Sequence, residues 1–524
     1  MSRTRIAVAT AVGAAMVLTA CTAGGGAAGT SSPTASATAS AAAAAPVEPV
    51  VVETVLDGEA VDLEVGPLAV HDDVAVLRLA ARAPYPTLMS AFTYAFESTS
   101  PGPNGVRLVD LEAGTVTRTL RTEDSRVVMT RNGSPGGPAT DAAAAAAGDD
   151  TVLLYAAFPV PGTATVDVLL PVAGWATGVP VVDAAGAGVL TVPPGELVEG
   201  TPVPEGAFTL EAYTEVLGGQ VRARRSAEQL EVAVASDVLF GFDSDQLAPD
   251  ADGALQAAAA QVAAHDGGRL TVVGHTDDQG DEAYNLDLSQ RRAATVAARI
   301  AELADLSAFD VDVEGRGETE PAVPGSGEEE RAVNRRVELV LEAPRASGAD
   351  EVVEVAGALP DPGGPVAPGP TGVAVVDREG RFDVRLDEVR RVGPYVVGGL
   401  EVTNTGDGDL AMTSLSAGAK DSRGSFDVQL QFAPTNVTLV EGGTRLFPVD
   451  YLTDPDDAER EPLADRVVHG VRPGQTRLVT IVWPDPGTDT VTVEVAPRYH
   501  HSIDGLRTAG HAPFRLTDVP VVDG

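Results

Sequence analysis

The chain has 524 residues, too many for one hydrophobic core and enough for about three domains. Its 36 Lys+Arg stand against 76 Asp+Glu, a formal net charge of −40 that argues against nucleic acid as a partner, because phosphate binding requires a basic surface. Cys21 is the only cysteine, so no intramolecular disulfide and no cysteine-based metal site can form.

Arg3 and Arg5 precede an apolar run from Ile6 to Val17, closed by Leu18-Thr19-Ala20-Cys21. The run is shorter than the roughly 20 residues of a membrane span, so residues 1–21 read as a signal peptide. Its end resembles the bacterial lipobox, in which the cysteine is acylated and becomes the new amino terminus. A secretory signal with a cysteine there by chance is the competing reading. Residues 22–49 contain Gly, Ala, Ser, Thr and Pro with almost no large apolar side chain, the composition of a flexible tether.

From residue 50 to 215, short β-rich runs such as Val61-Asp62-Leu63-Glu64-Val65 and Val74-Ala75-Val76-Leu77-Arg78-Leu79 alternate with turn residues. This pattern predicts an all-β sandwich. The alanine run Ala142 to Ala147 reads as loop. A second β-rich region, 373–522, follows a Pro/Gly linker at 346–372. The two regions are related. Thr151 through Val168 aligns without gaps to Thr476 through Val493, with shared Thr, Leu, Pro, Gly and Val positions and Phe158 aligned with Trp483. Two copies of one immunoglobulin-like sandwich are therefore expected, one on each side of a different domain.

That central domain spans 225–345. Val238-Leu239-Phe240 reads as a strand, Pro249 to His265 as a helix, and Leu270 to Val273 as a strand. A second helix is expected from Asn285 to Leu303, then strands at Asp310 to Glu314 and Arg336 to Leu341. The alternation predicts an α/β or α+β domain with helices on a mixed sheet.

Within it, Phe240-Gly241-Phe242-Asp243-Ser244, Gly274-His275-Thr276-Asp277-Asp278-Gln279-Gly280, Tyr284-Asn285, Leu288-Ser289, Arg291-Arg292-Ala293, Gly315-Arg316-Gly317-Glu318 and Asn334-Arg335-Arg336-Val337-Glu338 occur in order. The segment resembles the OmpA-like family, which includes peptidoglycan-associated lipoproteins and flagellar stator subunits. One departure is Glu330 before Arg331, where the family usually has Gly. The resemblance implies non-covalent binding of the peptidoglycan stem peptide at meso-diaminopimelate.

The free end of that residue carries an ammonium and a carboxylate on one carbon, so recognition wants an anion beside a forked cation. Asp277, in the loop after the second strand, can take the ammonium. Arg292, early in the next helix, can hold the carboxylate, aided by the positive helix end. Asn285, Asn334 and Arg335 are second-rank candidates for peptide carbonyls and carboxylates, and Asp243 and Ser244 are weaker ones. Taken singly, Asp277 could cap a turn and Arg292 could be a solvated helix residue. His275 reads as a structural hydrogen-bonder and Arg336 as the partner of a neighbouring carboxylate.

The functional expectation is a lipoprotein anchored through Cys21, bound to peptidoglycan and requiring no cofactor. The arginine bias, with Lys420 the one lysine, points to a GC-rich genome such as an actinobacterium's, which would put the lipid on the outer face of the single cell membrane. An enzyme is the first rival, and only His500-His501 with His511 hints at a cluster, with no zinc-ligand or serine-nucleophile motif. A stator subunit would need a spanning helix after Cys21, and a barrel would need many strands of about ten residues. The remaining alternative is an adhesion or assembly protein whose sandwiches bind another envelope protein while the central domain positions them.

Overall fold

The computed structural model describes residues 47–56, 59–82, 103–130, 151–197, 200–323, 325–342, 359–376, 380–411, 415, 425–426, 433–454, 459–465, 469–496, 502–503, 506–507 and 512–524. Cys21, residues 22–46 of the expected tether, Ala142 to Ala147, residues 346–358, His500, His501 and His511 lie outside them. All described residues belong to one unit, Pro46–Gly524.

The central domain has the expected mixed sheet. Strands Gln229–Ala235, Arg336–Glu342, Gly268–His275 and Phe309–Gly317 lie side by side in that order, the last pair parallel and the others antiparallel. Period-two alternation turns Leu230, Val232 and Val234 inward beside Leu341, Leu339 and Val337. Helices Ala251–Ala263 and Glu282–Leu303 cover that face through Leu255, Val262, Val296 and Ile300, all fully buried.

Val238-Leu239-Phe240 is not a strand. Ser236–Leu239 is a single helical turn, and the strand is the preceding Gln229–Ala235. The reason is positional: Gln229–Ala235 already fills the place beside Arg336–Glu342, so tertiary pairing overrides the local β propensity of Val238 and Phe240. Glu328–Asn334 is a short helix, and the Glu330 side chain packs over Gly325 and Gly327.

The two strand-rich regions repeat one pairing scheme. In the first, Glu59–His71, Val74–Ala81 and Val152–Pro159 form one sheet, and Thr115–Thr117, Arg107–Asp110, Thr165–Leu170 and Gly174–Asp183 form another. In the second, Val389–Val392, Tyr395–Asn404 and Thr476–Pro484 match the first set, and Thr444–Leu446, Val437–Glu441, Thr490–Val495 and Phe514–Asp523 match the second. Ala75 faces Phe158 as Val396 faces Trp483, and both aromatic rings are fully buried. The register shifts between Val166 and Val168 and again between Val491 and Val493, the same place in the repeat. The parallel contact Leu68↔Val181 recurs as Val389↔Val521. Part of the expected linker belongs to the second region, because Val366–Pro368 pairs in parallel with Phe514–Asp523.

The expected boundary between residues 215 and 225 is a junction. Strand Phe208–Val216 pairs with Thr115–Thr117 of the first region, with Asp450–Asp454 and Thr444–Leu446 of the second, and with Val221–Arg225, which leads into the central sheet. Buried polar contacts join the repeats nearby: Arg107 Nε donates to Tyr451 Oη at 2.9 Å, and Tyr451 Oη donates to Glu461 Oε2 at 2.6 Å.

Asp465 makes a further cross-link. One carboxylate oxygen accepts the Thr480 N–H and the other the Val172 N–H, both at 2.9 Å, the latter across the two repeats. Its counterpart in the first repeat is Thr130, whose hydroxyl accepts the Tyr155 N–H at 2.6 Å and donates to the Tyr155 carbonyl at 3.3 Å, both within the same repeat. Burial pushes the Asp465 carboxyl up from 3.8 to about 7, against the two N–H donors and the charge of Arg477. A carboxyl raised on folding holds its proton longer in the native state, so its share of stability is full below about pH 4 and declines as the pH rises to about 7. Asp465→Asn should remove that segment of the stability–pH profile, whatever its absolute stability; urea midpoints from pH 4 to 8 that change in parallel for both proteins would contradict the assignment.

Candidate functional site

The site lies where the long helix meets the ends of two strands. Gly274 and Gly315 permit the contact: a Cβ on Gly274 would sit 2.2 Å from the Ser289 carbonyl oxygen, and one on Gly315 would sit 2.5 Å from Gln290 N. Asp281 caps the helix, its carboxylate accepting the Ala283 and Tyr284 N–H groups. The helix thus begins at Glu282, three residues before the expected Asn285. Arg292 consequently lies about three turns in, where the helix end contributes little, which corrects the expectation of a helix-dipole role.

Asn285, Ser289 and Arg292 share the buried face with Leu288 and Val296, an unusual polar stripe on a packing surface. The stripe is explained by loops that need holding. Asn285 Nδ2 donates to the carbonyls of Asp277 at 3.4 Å and Gln279 at 3.1 Å, and to Glu318 Oε2 at 2.7 Å. Its place is therefore a support for the Asp277 loop. Asn334 is also buried and engaged, its amide exchanging two 3.0 Å hydrogen bonds with the Val323 backbone. Both side chains hold chain segments in this structure.

Asp277 Oδ1 accepts from Gln279 N at 3.2 Å, and Oδ2 accepts from Arg335 Nη1 at 2.7 Å. Arg335 simultaneously forks onto Asp237, with Nε and Nη2 at 2.9 and 2.8 Å, and Nη2 reaches Glu328 at 3.0 Å. These carboxylates hold its proton above the ordinary guanidinium range. One cation cannot neutralise three anions, so negative charge remains around Asp277.

Arg292 is the opposite case. Only 7% exposed, it donates through Nε to the Ser244 carbonyl at 2.9 Å and stacks 5.0 Å from the Phe240 ring centre. Among the described residues no carboxylate reaches ion-pair distance of it. Burial lowers its proton affinity, with the fields of Asp237, Asp243 and Asp245 opposing that shift. Asp237 therefore acts on both guanidiniums and links the Asp277 and Arg292 halves of the site. It was missed in the sequence because it lies just before the segment read as a strand, outside every motif block, and only the helical turn Ser236–Leu239 brings it to Arg335.

Asp243 takes positive φ of 56° and accepts the Tyr284 hydroxyl at 2.5 Å. Ser244 contributes its carbonyl to Arg292, while its hydroxyl accepts the Gln246 N–H at 3.0 Å. His275, buried at the strand end, lies with Nε2 3.3 Å from Glu338 Oε2. Burial works to raise Glu338, but His275 and the adjoining Arg336 outweigh it and hold the carboxyl at about 2. No group of three metal-ligating side chains occurs among the described residues.

Replacing Asn285 with Ala removes all three of its donor contacts. We expect a loss of about 1–3 kcal/mol in stability and faster amide exchange at residues 277–280, measurable by hydrogen–deuterium exchange; unchanged exchange there would show that the loop holds itself.

The OmpA family model matches residues 239–335. The outer-membrane lipoprotein YfiB of Pseudomonas aeruginosa is 39% identical over 116 residues, 22% of this chain and 68% of that protein. The peptidoglycan-associated lipoprotein of Legionella pneumophila is 39% identical over 107 residues, 20% of this chain and 60% of that protein. A solved structure described as the cell wall anchor of the T6SS from Pseudomonas aeruginosa shares 30% identity, covering 24% of this chain and 90% of that one at a TM-score of 0.22. These matches leave most of the chain, including both strand-rich regions, uncovered. Through its central domain, this chain belongs to the OmpA family.

Proposed function

We propose that the central domain binds the peptidoglycan stem peptide non-covalently at the free end of a diaminopimelate residue, and that the chain, acylated at Cys21, ties the membrane to the cell wall. The observation that carries this reading is the contrast between Arg292, a buried guanidinium with no carboxylate partner among the described residues, and Asp277, an anion in a network with surplus negative charge. A zwitterionic carbon satisfies both at once: its ammonium goes to Asp277 and its carboxylate to Arg292. Phe240 braces the guanidinium from behind, so less freedom is lost when the ligand arrives. The names of the relatives, an outer-membrane lipoprotein and a peptidoglycan-associated lipoprotein, support the same reading and an envelope location.

A few charge-assisted hydrogen bonds on a partly exposed rim give weak binding, on the order of micromolar to millimolar. Confinement beside a polymer with many identical sites compensates for that weakness. No bond in the ligand is broken, and the domain acts as a clamp and not as an enzyme. We read the flanking strand-rich regions as immunoglobulin-like sandwiches. The support is the repeated pairing of two sheets around one apolar cluster, Leu77, Phe158 and Val168 in one copy and Leu400, Trp483 and Val493 in the other.

Asp277→Ala and Arg292→Ala should each weaken co-sedimentation with purified sacculi about 10- to 100-fold while the circular dichroism spectrum stays that of the parent. Normal sedimentation of both variants would refute the clamp. Walls carrying lysine in place of diaminopimelate should bind poorly, because Arg292 then has no carboxylate to hold. Cys21→Ala should release the protein from membranes into the medium.

A further inference from the structure

The charge around the clamp constrains the rest of the ligand. Arg335 is shared by Asp237, Asp277 and Glu328, and Arg292 lies in the fields of Asp237, Asp243 and Asp245. Arg291 answers Asp245, with Nε 2.8 Å from its carboxylate. That leaves Asp237, Asp243, Asp277 and Glu328 against two guanidiniums. A diaminopimelate end group adds one charge of each sign and leaves this surplus unchanged. Glu328 and Asp237 keep 75% and 56% of their side chains exposed, so they face solvent where the remainder of a stem peptide would run.

Resting on the function proposed above, we infer that the site selects stem peptides whose second-residue carboxylate is amidated: D-isoglutamine in place of D-isoglutamate. A free carboxylate there meets an anionic rim and, among the described residues, no uncommitted cation: Arg335 is already shared three ways, Arg331 is paired with Asp278 at 2.7 Å, and Arg292 is occupied by diaminopimelate. An amide of the same shape removes the repulsion and can donate hydrogen bonds to the rim carboxylates. Amidation of the diaminopimelate carboxylate has the opposite effect, because it removes the anion that Arg292 needs. Two chemically identical modifications of one peptide therefore act with opposite signs.

The test is calorimetric titration of the full chain with three synthetic tripeptides: L-Ala-D-isoglutamyl-meso-diaminopimelate, its isoglutaminyl form, and the form amidated on the free diaminopimelate end. In about 50 mM salt the isoglutaminyl peptide should bind roughly three- to tenfold more tightly than the free acid, with the gap closing near about 0.5 M salt as rim charges are screened. Glu328→Gln should narrow the gap without altering the order of the first and third peptides. The peptide amidated at diaminopimelate should bind at least tenfold more weakly than the free acid. Equal or tighter binding of the free acid relative to the isoglutaminyl form overturns the selectivity and leaves the clamp standing. Failure of all three to bind, or indifference to the diaminopimelate amide, overturns the clamp and the selectivity with it.

Discussion

The site depends on one close approach, that of the helix Glu282–Leu303 to the ends of strands Gly268–His275 and Phe309–Gly317. Backbone and helix meet there with no room for a Cβ on Gly274 or Gly315. Because the helix is seated this deeply, Asn285 can reach the carbonyls of the Asp277 loop, and Ser289 Oγ can accept the Gly317 N–H at 3.0 Å. Arg292 is carried into the domain beside Phe240. A helix one ångström farther out would lose the loop supports and return Arg292 to solvent, where a guanidinium gains little from any single anion.

The second constraint is the strand Phe208–Val216. A strand has two edges, and unpaired backbone groups buried away from water are costly. Successive short stretches of this strand are taken up by the first repeat, the second repeat and the hairpin into the central sheet. The repeats are further joined by Arg107, Tyr451, Glu461 and Asp465, all buried. A hairpin and a set of ionic contacts thus replace the flexible linker that a string of independent domains would have. The duplicated repeats are also not equivalent at the join. Where the first has the neutral Thr130, the second has the ionisable Asp465, and only the carboxylate has a second oxygen with which to cross to the other copy.

Electrostatics divides the central domain into two layers. Beneath the site, Glu338 is matched by Arg336 and His275 and stays charged far into acid. At the rim the charges are unequal in number: Arg335 is shared by three carboxylates, and among the described residues Arg292 has no ion-pair partner. A zwitterion leaves that surplus unchanged, and what the proposed ligand would supply is a separate counter-charge for Arg292 and for Asp277.

Much of this was legible in the residues. The strand–helix alternation from Val238 to Leu341 and the order of the Gly-, Asp- and Arg-containing blocks determined the class of the central domain and named Asp277 and Arg292. The gapless match of Thr151–Val168 to Thr476–Val493 determined the duplication, and the coincident register shifts agree with it. Both signals are local or periodic, and local patterns survive in a linear string. The tertiary structure alone decided that Val238 belongs to a helical turn, that the Asn285 and Asn334 amides hold chain segments, and that Asp237 joins the two halves of the site. It also decided that Phe208–Val216 serves three neighbours. These are matters of which distant backbone and side-chain groups compete for the same partner, and that competition exists only once the chain has closed on itself.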